Sequence, residues 1–495
     1  MKPSTYAEQI STIRDKLQAV RKLDNGLQVF GADSHDYVLH PPCSLQHVES
    51  FERDYGISLP EAYRRFITEV GHAGTGYLGS GAGPFYGLYA LGDGQSDIGS
   101  ENIASTLQNP CLLHPAMGAE EWADLAADLL HDGSDADEED DDAAEATFLA
   151  ALERVYGGLL LLGTQGCNYY HALILNGEYR GRIVNLSMEF EQPVFCYEAD
   201  FLCWYERWLD EILSGDLLAE TVGWFAYQKG GSASQLFAEF QSAPDYAQAK
   251  ACLLGIQNKR QLDNALLLSL QAAYYRYPAH QRQLAQILCK SDYALAHAPL
   301  TQLYQHDVLG FLQCLHWYAK DQAKHWREPI LQALKTSQDI ETLRFSGYLC
   351  DSFKDELVSE YSAAVLTHLH HSDAEFRQQA IYQLAALSDK SALLSHFAQA
   401  LFDPALAVQR QTLHAIQGWP ATEFLPGLRH IANTYPQEQD YILSSLKQVL
   451  AGYGMSLRRQ RVLSQNLRGR WTGFNPFCTC SRMGASRGSV IKYPT

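Results

Sequence analysis

The segment "GLLLLGTQGCNYYHALILNGEYRGRIVNL", residues 158–186, limits the possible folds of this chain more than any other stretch. Aliphatic runs alternate here with breaks that contain glycine and asparagine, which is typical of short strands joined by turns. Asn176-Gly177 stands between two alternating runs and is a strong signal for a β-hairpin. The pattern predicts three strands of one sheet, with Ala172 and His171 of the second strand on opposite faces.

Helical patterns surround these strands. Amphipathic helices are predicted at the N-terminus, on both sides of Gly56, and directly before and after the strands. The last of them, "FLCWYERWLDEIL" at residues 201–213, has its large apolar residues on one face. The glycine-rich stretch from Gly74 to Gly94 contains "FYGLYAL", which we expect to be a further strand. Helices combined with a small mixed or antiparallel sheet predict an α+β domain over residues 1–228.

These elements stand in an order that resembles the SUKH superfamily, which includes fungal cell-wall-assembly regulators and many bacterial toxin-immunity proteins. The resemblance covers roughly residues 40–215. The matching positions lie in the first helix, the central strand pair and the strand after the hairpin: Leu59, Pro60, Tyr63, Phe66, Gly166, Tyr170, Gly181, Arg182 and Val184. Two features depart from the family, an acidic insertion at 131–145 and Cys167-Asn168 where many members carry Asp. The resemblance implies a SUKH-like domain without catalytic chemistry that binds other proteins.

Apolar helical patterns with short breaks fill residues 235–455, after a flexible join at "GGS". Phe376 and Val408, and likewise Leu384 and Ile416, are 32 residues apart, which is the spacing of a stacked helix-pair repeat. The pattern resembles HEAT-like α-solenoids and predicts an all-α helical-repeat domain. Such an array offers an extended surface to another macromolecule. A compact helical domain without repeats is the alternative.

Charge is distributed unevenly along the chain. The formal net charge is −19, although residues 456–495 contain eight Lys and Arg and no acid. Residues 131–145, in contrast, contain nine Asp and Glu. The negative charge argues against nucleic acid as a ligand, because phosphate binding depends on clustered cations, and favours a basic partner. We expect the basic tail to be disordered, and the acidic insertion to be either a solvated loop or an attractor for that partner.

Composition predicts a cytoplasmic protein. The longest aliphatic run, Leu159 to Leu162, is far shorter than the ~20 apolar residues that a membrane span needs. The N-terminus lacks the continuous apolar centre of a signal peptide. The eleven cysteines follow neither a disulfide framework nor a zinc-binding spacing. We therefore expect reduced thiols, no metal, no cofactor and no membrane partner.

Cys167 and His171 are the candidate pair for catalysis. Four residues apart on an extended strand, they would be separated by about 13 Å, which is too far for direct proton transfer. A turn at Gly166 would shorten this distance, but no nucleophile elbow supports an enzyme. A Cys-dependent enzyme is therefore the third hypothesis, behind two that involve no catalytic residues.

The leading hypothesis is a cytoplasmic immunity protein that binds and neutralises a cognate, basic protein toxin. The competing hypothesis is an intracellular scaffold or regulatory protein. Either function requires a protein-binding surface, for which aromatic, arginine and acidic side chains are the natural contacts. The candidate partner-binding residues are Tyr169, Arg180, Asp200, Asp140, Asp141 and Asp142.

Overall fold

The computed structural model describes five stretches of the chain: 6–98, 102–130, 141–218, 224–435 and 440–455. Of residues 141–144 and 440 it describes only the backbone. The basic tail, most of the acidic insertion and Asp140 therefore lie outside the described residues. The chain divides into two compact units, Met1–Lys320 and Asp321–Thr495. This division falls inside the predicted helical region, so several of its helices belong to the first unit.

The first unit contains an antiparallel sheet of four strands in the order β1-β2-β3-β4. The strands are β1 (Leu159–Gly166), β2 (Tyr169–Ile174), β3 (Ile183–Ser187) and β4 (Val194–Phe195). Ala172 pairs with Leu161 on one side and with Val184 on the other. The three strands predicted from residues 158–186 are confirmed, whereas the two-residue β4 was not anticipated.

The strand predicted at "FYGLYAL" is wrong. Only an isolated bridge joins Gly81 to Leu88 in this region. The backbone takes a positive φ of 56° at Phe85 and of 96° at Gly87, which bends the chain twice within three residues. A segment bent in this way cannot continue as an extended strand, although the Tyr89 amide still donates to the Leu162 carbonyl at 2.8 Å.

Helices make up most of the described part of the first unit. Nine precede or follow the sheet: α1 (Tyr6–Leu23), α2 (Ala32–His35), α3 (Leu45–Tyr55), α4 (Glu61–Arg65), α5 (Ile103–Gln108), α6 (Ala119–Leu125), α7 (Ala127–Leu130), α8 (Asp141–Val155) and α9 (Phe201–Leu213). Six more follow: α10 (Ala233–Ser242), α11 (Tyr246–Gln257), α12 (Asn264–Arg276), α13 (Gln281–Ser291), α14 (Tyr293–Leu303) and α15 (Val308–Tyr318). The predicted α+β region thus has an antiparallel sheet and is followed by helices.

Both faces of the sheet are buried. On one face, Leu160, Leu173 and Ile183 pack into a core with α1, α3, α4 and the aromatic face of α9. On the other face, Leu161 and Ala172 pack against residues of α6 and α8. The strict alternation between these two cores is the pattern that the sequence predicted, because successive strand residues point to opposite faces.

The second unit consists of helices in its described part: α16 (Arg327–Thr336), α17 (Ile340–Cys350), α18 (Val358–Leu366), α19 (Ala374–Ala385), α20 (Leu394–Ala400), α21 (Leu406–Ile416), α22 (Leu425–Thr434) and α23 (Asp440–Ala451). Consecutive helices pair as α16/α17, α18/α19, α20/α21 and α22/α23. The second members form a row, since α17 contacts α19, α19 contacts α21, and α21 contacts α23. In the described stretches of both units, no helix is long and apolar enough to cross a membrane.

Arginine–carboxylate pairs link neighbouring helices within rows of this kind. Arg377 of α19 binds both carboxylate oxygens of Asp403, just before α21, with N–O distances of 2.8 and 2.9 Å. In the first unit, Arg282 of α13 makes the same bidentate contact with Asp307, which caps the N-terminus of α15. The recurring pair ties one helix to the start of the next helix in its row, a geometry that favours planar guanidinium over ammonium.

Candidate functional site

The turn between β1 and β2 consists of only two residues, Cys167 and Asn168. Their φ angles are 47° and 66°. A two-residue hairpin turn with positive φ at both positions matches the right-handed twist of the flanking strands. Asn adopts this conformation readily, but Cys does not, because its Cβ then crowds the backbone. The thiol-bearing residue is exposed at the hairpin tip.

A cleft of about 520 Å³ opens beside this turn, and we call it the hairpin-tip cleft. Its lining combines the turn with tyrosines and polar residues from distant parts of the sequence: Asp33, Ser34, Tyr77, Tyr86, Thr164, Gly166, Cys167, Asn168 and Tyr170. Hydrogen bonds hold the distant segments together, since the Tyr77 amide donates to Ser34 Oγ and Ser80 Oγ donates to the Tyr86 carbonyl. Hydrogen bonds therefore connect the separate segments that form the wall of the cleft.

Three tyrosines, Tyr77, Tyr86 and Tyr170, belong to the lining of the hairpin-tip cleft. Tyr77 is 59% exposed. Phe30, which is 54% exposed and does not line the cleft, has its ring 5.6 Å from that of the half-buried Tyr86. A Cβ on Gly166 would lie 3.0 Å from the Tyr86 ring, and Gly166 has a φ of 91°. Glycine at this position therefore lets the Tyr86 ring approach the end of β1 closely. The cleft thus presents one exposed tyrosine, Tyr77, beside two that are half-buried.

Tyr169, a candidate partner-binding residue, lies next to the turn on β2. Its hydroxyl donates to Glu191 Oε2 at 2.9 Å, and this hydrogen bond, together with burial, raises the tyrosine pKa above its usual 10. Its ring meets that of Trp224 edge to face, with centroids 5.4 Å apart. Tyr169 is therefore a neutral, partly exposed side chain beside a carboxylate.

Arg180 and Asp200 make contacts that support the fold. Arg180 donates from Nε to the Leu175 carbonyl and from Nη2 to the Ser58 carbonyl, both at 2.9 Å, and so ties the β2–β3 loop to the segment before α4. Asp200 caps α9 by accepting a hydrogen bond from the Cys203 amide at 2.9 Å. The structure gives Tyr169, Arg180 and Asp200 separate hydrogen-bond partners and does not join them into one cluster.

The three acidic candidates cannot be placed beside these residues. Asp140 lies outside the described residues, and Asp141 and Asp142 begin α8, where only the backbone is described. The proposed roles of these carboxylates therefore stay predictions.

His171 lies in the core and is not paired with Cys167. Its side chain is fully buried between the rings of Phe85 and Trp204, and neither ring nitrogen has a hydrogen-bond partner within the described residues. Burial lowers the pKa of His171 to about 3, so the imidazole is neutral at physiological pH. His171 is therefore not placed to act as a general base for the exposed thiol.

The hairpin-tip cleft can contact a partner through aromatic surface, phenol hydroxyls and the Asp33 side chain. In the described stretches, no group of three or more His, Cys, Asp or Glu residues is placed to hold a metal ion. Sequence reasoning missed Asp33, Tyr77 and Tyr86, because their segments lie far along the chain from the predicted strands. The density of glycine and tyrosine between Gly74 and Gly94 was the available signal.

Two comparisons with known proteins give no match. No protein-family model matches the chain, and the search of curated proteins likewise gives no match.

Proposed function

We propose that this chain is a non-catalytic protein-binding module that acts as a cytoplasmic immunity protein and neutralises a cognate, basic toxin. The exposed aromatic surface of the hairpin-tip cleft is the observation that carries the proposal. Tyr, Trp and Arg dominate the binding energy of protein interfaces, because they bury large rigid surfaces and keep a polar group available. Single exposed apolar residues are ordinary, but an exposed Tyr77 that shares one cleft with the half-buried Tyr86 and Tyr170 favours a binding surface.

The charge of the chain supports a basic partner. At a formal net charge of −19, the protein attracts cationic proteins over a distance comparable to the Debye length, which speeds association. Contacts at the cleft would then determine how slowly the complex dissociates, since mutations within an interface act mainly on the off-rate. Steering by charge and retention by aromatic contacts together suit a protein that must capture a toxin quickly.

The helical rows of the second unit favour a scaffold or regulator as the second candidate. A row of helix pairs of the kind formed by α17, α19, α21 and α23 is compatible with a HEAT-like array that presents an extended surface. The SUKH-like order of the sequence elements fits either function, because that superfamily contains both regulators and immunity proteins.

The test uses the full chain and the proteins encoded beside its own gene. Each neighbour is produced in cells with and without the chain, growth is measured, and complexes are quantified by calorimetry at low and high salt. We expect one neighbour to be toxic alone and harmless together with the chain. Tyr77→Ala and Tyr86→Ala should each weaken its binding by about tenfold or more, as for interface hot spots. Tyr441→Ala, an 84% exposed tyrosine of α23, is the matched control.

Two outcomes would contradict the proposal. If the chain protects cells from none of the neighbours, it is not an immunity protein of that locus, and specific binding of a harmless neighbour would instead support the scaffold. If a toxin binds equally well to both cleft variants, its binding surface lies elsewhere on the chain.

A further inference from the structure

A second cleft, of about 590 Å³, lies in the first unit between α9 and the start of α10, and we call it the acidic cleft. One wall carries Glu206, Asp210 and Glu211 of α9, and the opposite wall is formed by the Gly230–Ser232 segment and Gln235. The acidic cleft shares no lining residue with the hairpin-tip cleft. Any role for it is therefore independent of the function proposed above.

Arg207 holds two carboxylates in place at the base of the acidic cleft. Its Nε donates to Glu211 Oε1 and its Nη1 to Glu198 Oε1, both at 2.8 Å, while Nη2 donates to the Gln228 carbonyl at 2.8 Å. A Cβ on Gly230 would approach Arg207 Nε to 2.3 Å, so only glycine lets the backbone pass this guanidinium. Each of the three guanidinium nitrogens thus makes a hydrogen bond that holds the side chain in this orientation.

Each of the two carboxylates retains one oxygen without a partner. Glu211 Oε2 and Glu198 Oε2 are both buried and have no hydrogen-bond partner within the described residues. The Glu211 side chain is only 7% exposed, so water reaches it poorly. A buried charged acceptor without a donor is costly, and a donor that enters the cleft would relieve this cost.

The acidic cleft carries excess negative charge. Five carboxylates line it, those of Glu198, Glu206, Asp210, Glu211 and Asp216. Three cations of the chain contact these carboxylates, namely Lys16, Arg207 and Lys259. Two negative charges are therefore in excess. Two of these cations are lysines. Lys16 Nζ lies 2.8 Å from Glu206 and 2.6 Å from Asp210, and Lys259 Nζ lies 3.0 Å from Asp216. The carboxylates of this cleft therefore already bind alkylammonium groups of the chain itself.

We propose that the acidic cleft binds one further alkylammonium group, supplied by a ligand, with Glu211 Oε2 and Glu198 Oε2 as its acceptors. An ammonium group donates three hydrogen bonds from one compact centre, so it can satisfy both oxygens while it neutralises part of the excess charge. Two sources carry this group, the lysine side chain of a partner protein and a free aliphatic diamine or polyamine.

The full chain is titrated by calorimetry with two probes, Nα-acetyl-lysine amide and 1,5-diaminopentane, and with 1-pentanol as the uncharged control. We expect saturable binding of at least one amine and none of the alcohol. Tighter binding of the lysine amide indicates a protein partner, and tighter binding of the diamine indicates a free polyamine. If neither amine binds, the proposal is overturned.

Two kinds of variant locate the binding. Glu211→Gln should weaken amine binding by about tenfold or more, because it removes the charge of a buried acceptor, and its melting temperature checks the fold. Gln261→Lys leaves the Arg207 contacts intact and places a competing ammonium on the exposed lining residue Gln261, so it should also weaken binding. Gln261→Met is its matched neutral control and should bind as the unchanged chain does. Amine binding that is equally tight in Gln261→Lys and in a folded Glu211→Gln variant would overturn the assignment to this cleft.

Discussion

At the scale of single residues, Cys167 occupies the first position of a turn that requires positive φ. Cys167→Asn should raise the free energy of unfolding by about 0.5–1 kcal/mol, because Asn is preferred at this position of a two-residue hairpin turn. Cys167→Val should lower it by about 1–2 kcal/mol, because a β-branched side chain strongly disfavours positive φ. Urea unfolding followed by circular dichroism measures both changes. Equal stability of the two variants would show that the turn imposes no such conformation in solution.

His171 gives the stability of the first unit a dependence on pH. Its pKa is lowered to about 3 in the folded chain from 6.5 in the unfolded chain, so protons bind preferentially to the unfolded chain. The stabilisation that comes from keeping His171 neutral in the core is fully present above pH 6.5. It is lost as the pH falls from 6.5 toward 3, because protons then bind to the unfolded chain. Between pH 7.5 and 5, this single group should cost about 2 kcal/mol of stability.

His171→Leu tests this dependence. Leucine removes both unpartnered nitrogens at similar volume, so we expect the variant to be more stable at pH 5 and to lose less stability than the unchanged chain between pH 7.5 and 5. Urea unfolding at the two pH values gives the comparison. Burial also lowers the pKa of His35, to about 4. Because His35 is unchanged in the variant, it accounts for the loss of stability in acid that remains. An identical loss in both proteins would mean that His171 titrates normally in the folded chain.

At the scale of helices and strands, the arginine–carboxylate pairs provide an internal comparison. Arg377 and Asp403 are 13% and 11% exposed, whereas Arg282 and Asp307, with the same geometry, are 38% and 23% exposed. Burial opposes ionisation of Asp403, but the hydrogen bonds from Arg377 and a backbone amide lower its pKa on balance. Because water screens the second pair more, double-mutant cycles should give a coupling energy of about 2 kcal/mol for Arg377–Asp403 and below about 1 kcal/mol for Arg282–Asp307.

The cycles use Arg→Met and Asp→Asn substitutions, which preserve most of the side-chain volume. Stability is measured by urea unfolding for each single and double variant. If the more exposed pair showed the larger coupling energy, burial would not be the factor that decides the strength of these contacts.

Strands and helices could be predicted from this sequence wherever apolar residues recurred at the spacing of a strand or of a helix over several residues. The alternation in β1 and β2 and the apolar face of α9 were sufficient to find these elements. "FYGLYAL" has the composition of a strand, but Phe85 and Gly87 adopt positive φ, which composition does not reveal. The two residues of β4 are too short to show any period, so only their pairing with β3 defines them.

At the scale of the whole molecule, the clefts could not be predicted, because their walls are far apart in the sequence. Tyr77 and Cys167 meet only after the chain has folded around the sheet. The acidic cleft likewise joins Glu198 to Gln261. An aromatic and acidic partner-binding surface was expected from the composition, and this expectation stays a prediction.

The two borders of the sheet have a consequence for how the protein behaves at high concentration. β4 ends the sheet after two residues, and on the other border the Tyr89 amide already occupies the Leu162 carbonyl of β1. A long border of free backbone groups would let one copy extend the sheet of the next, which is how many β-proteins polymerise. Within the described residues, one border is thus very short and the other is partly occupied, so the sheet gives a second copy little free backbone to pair with.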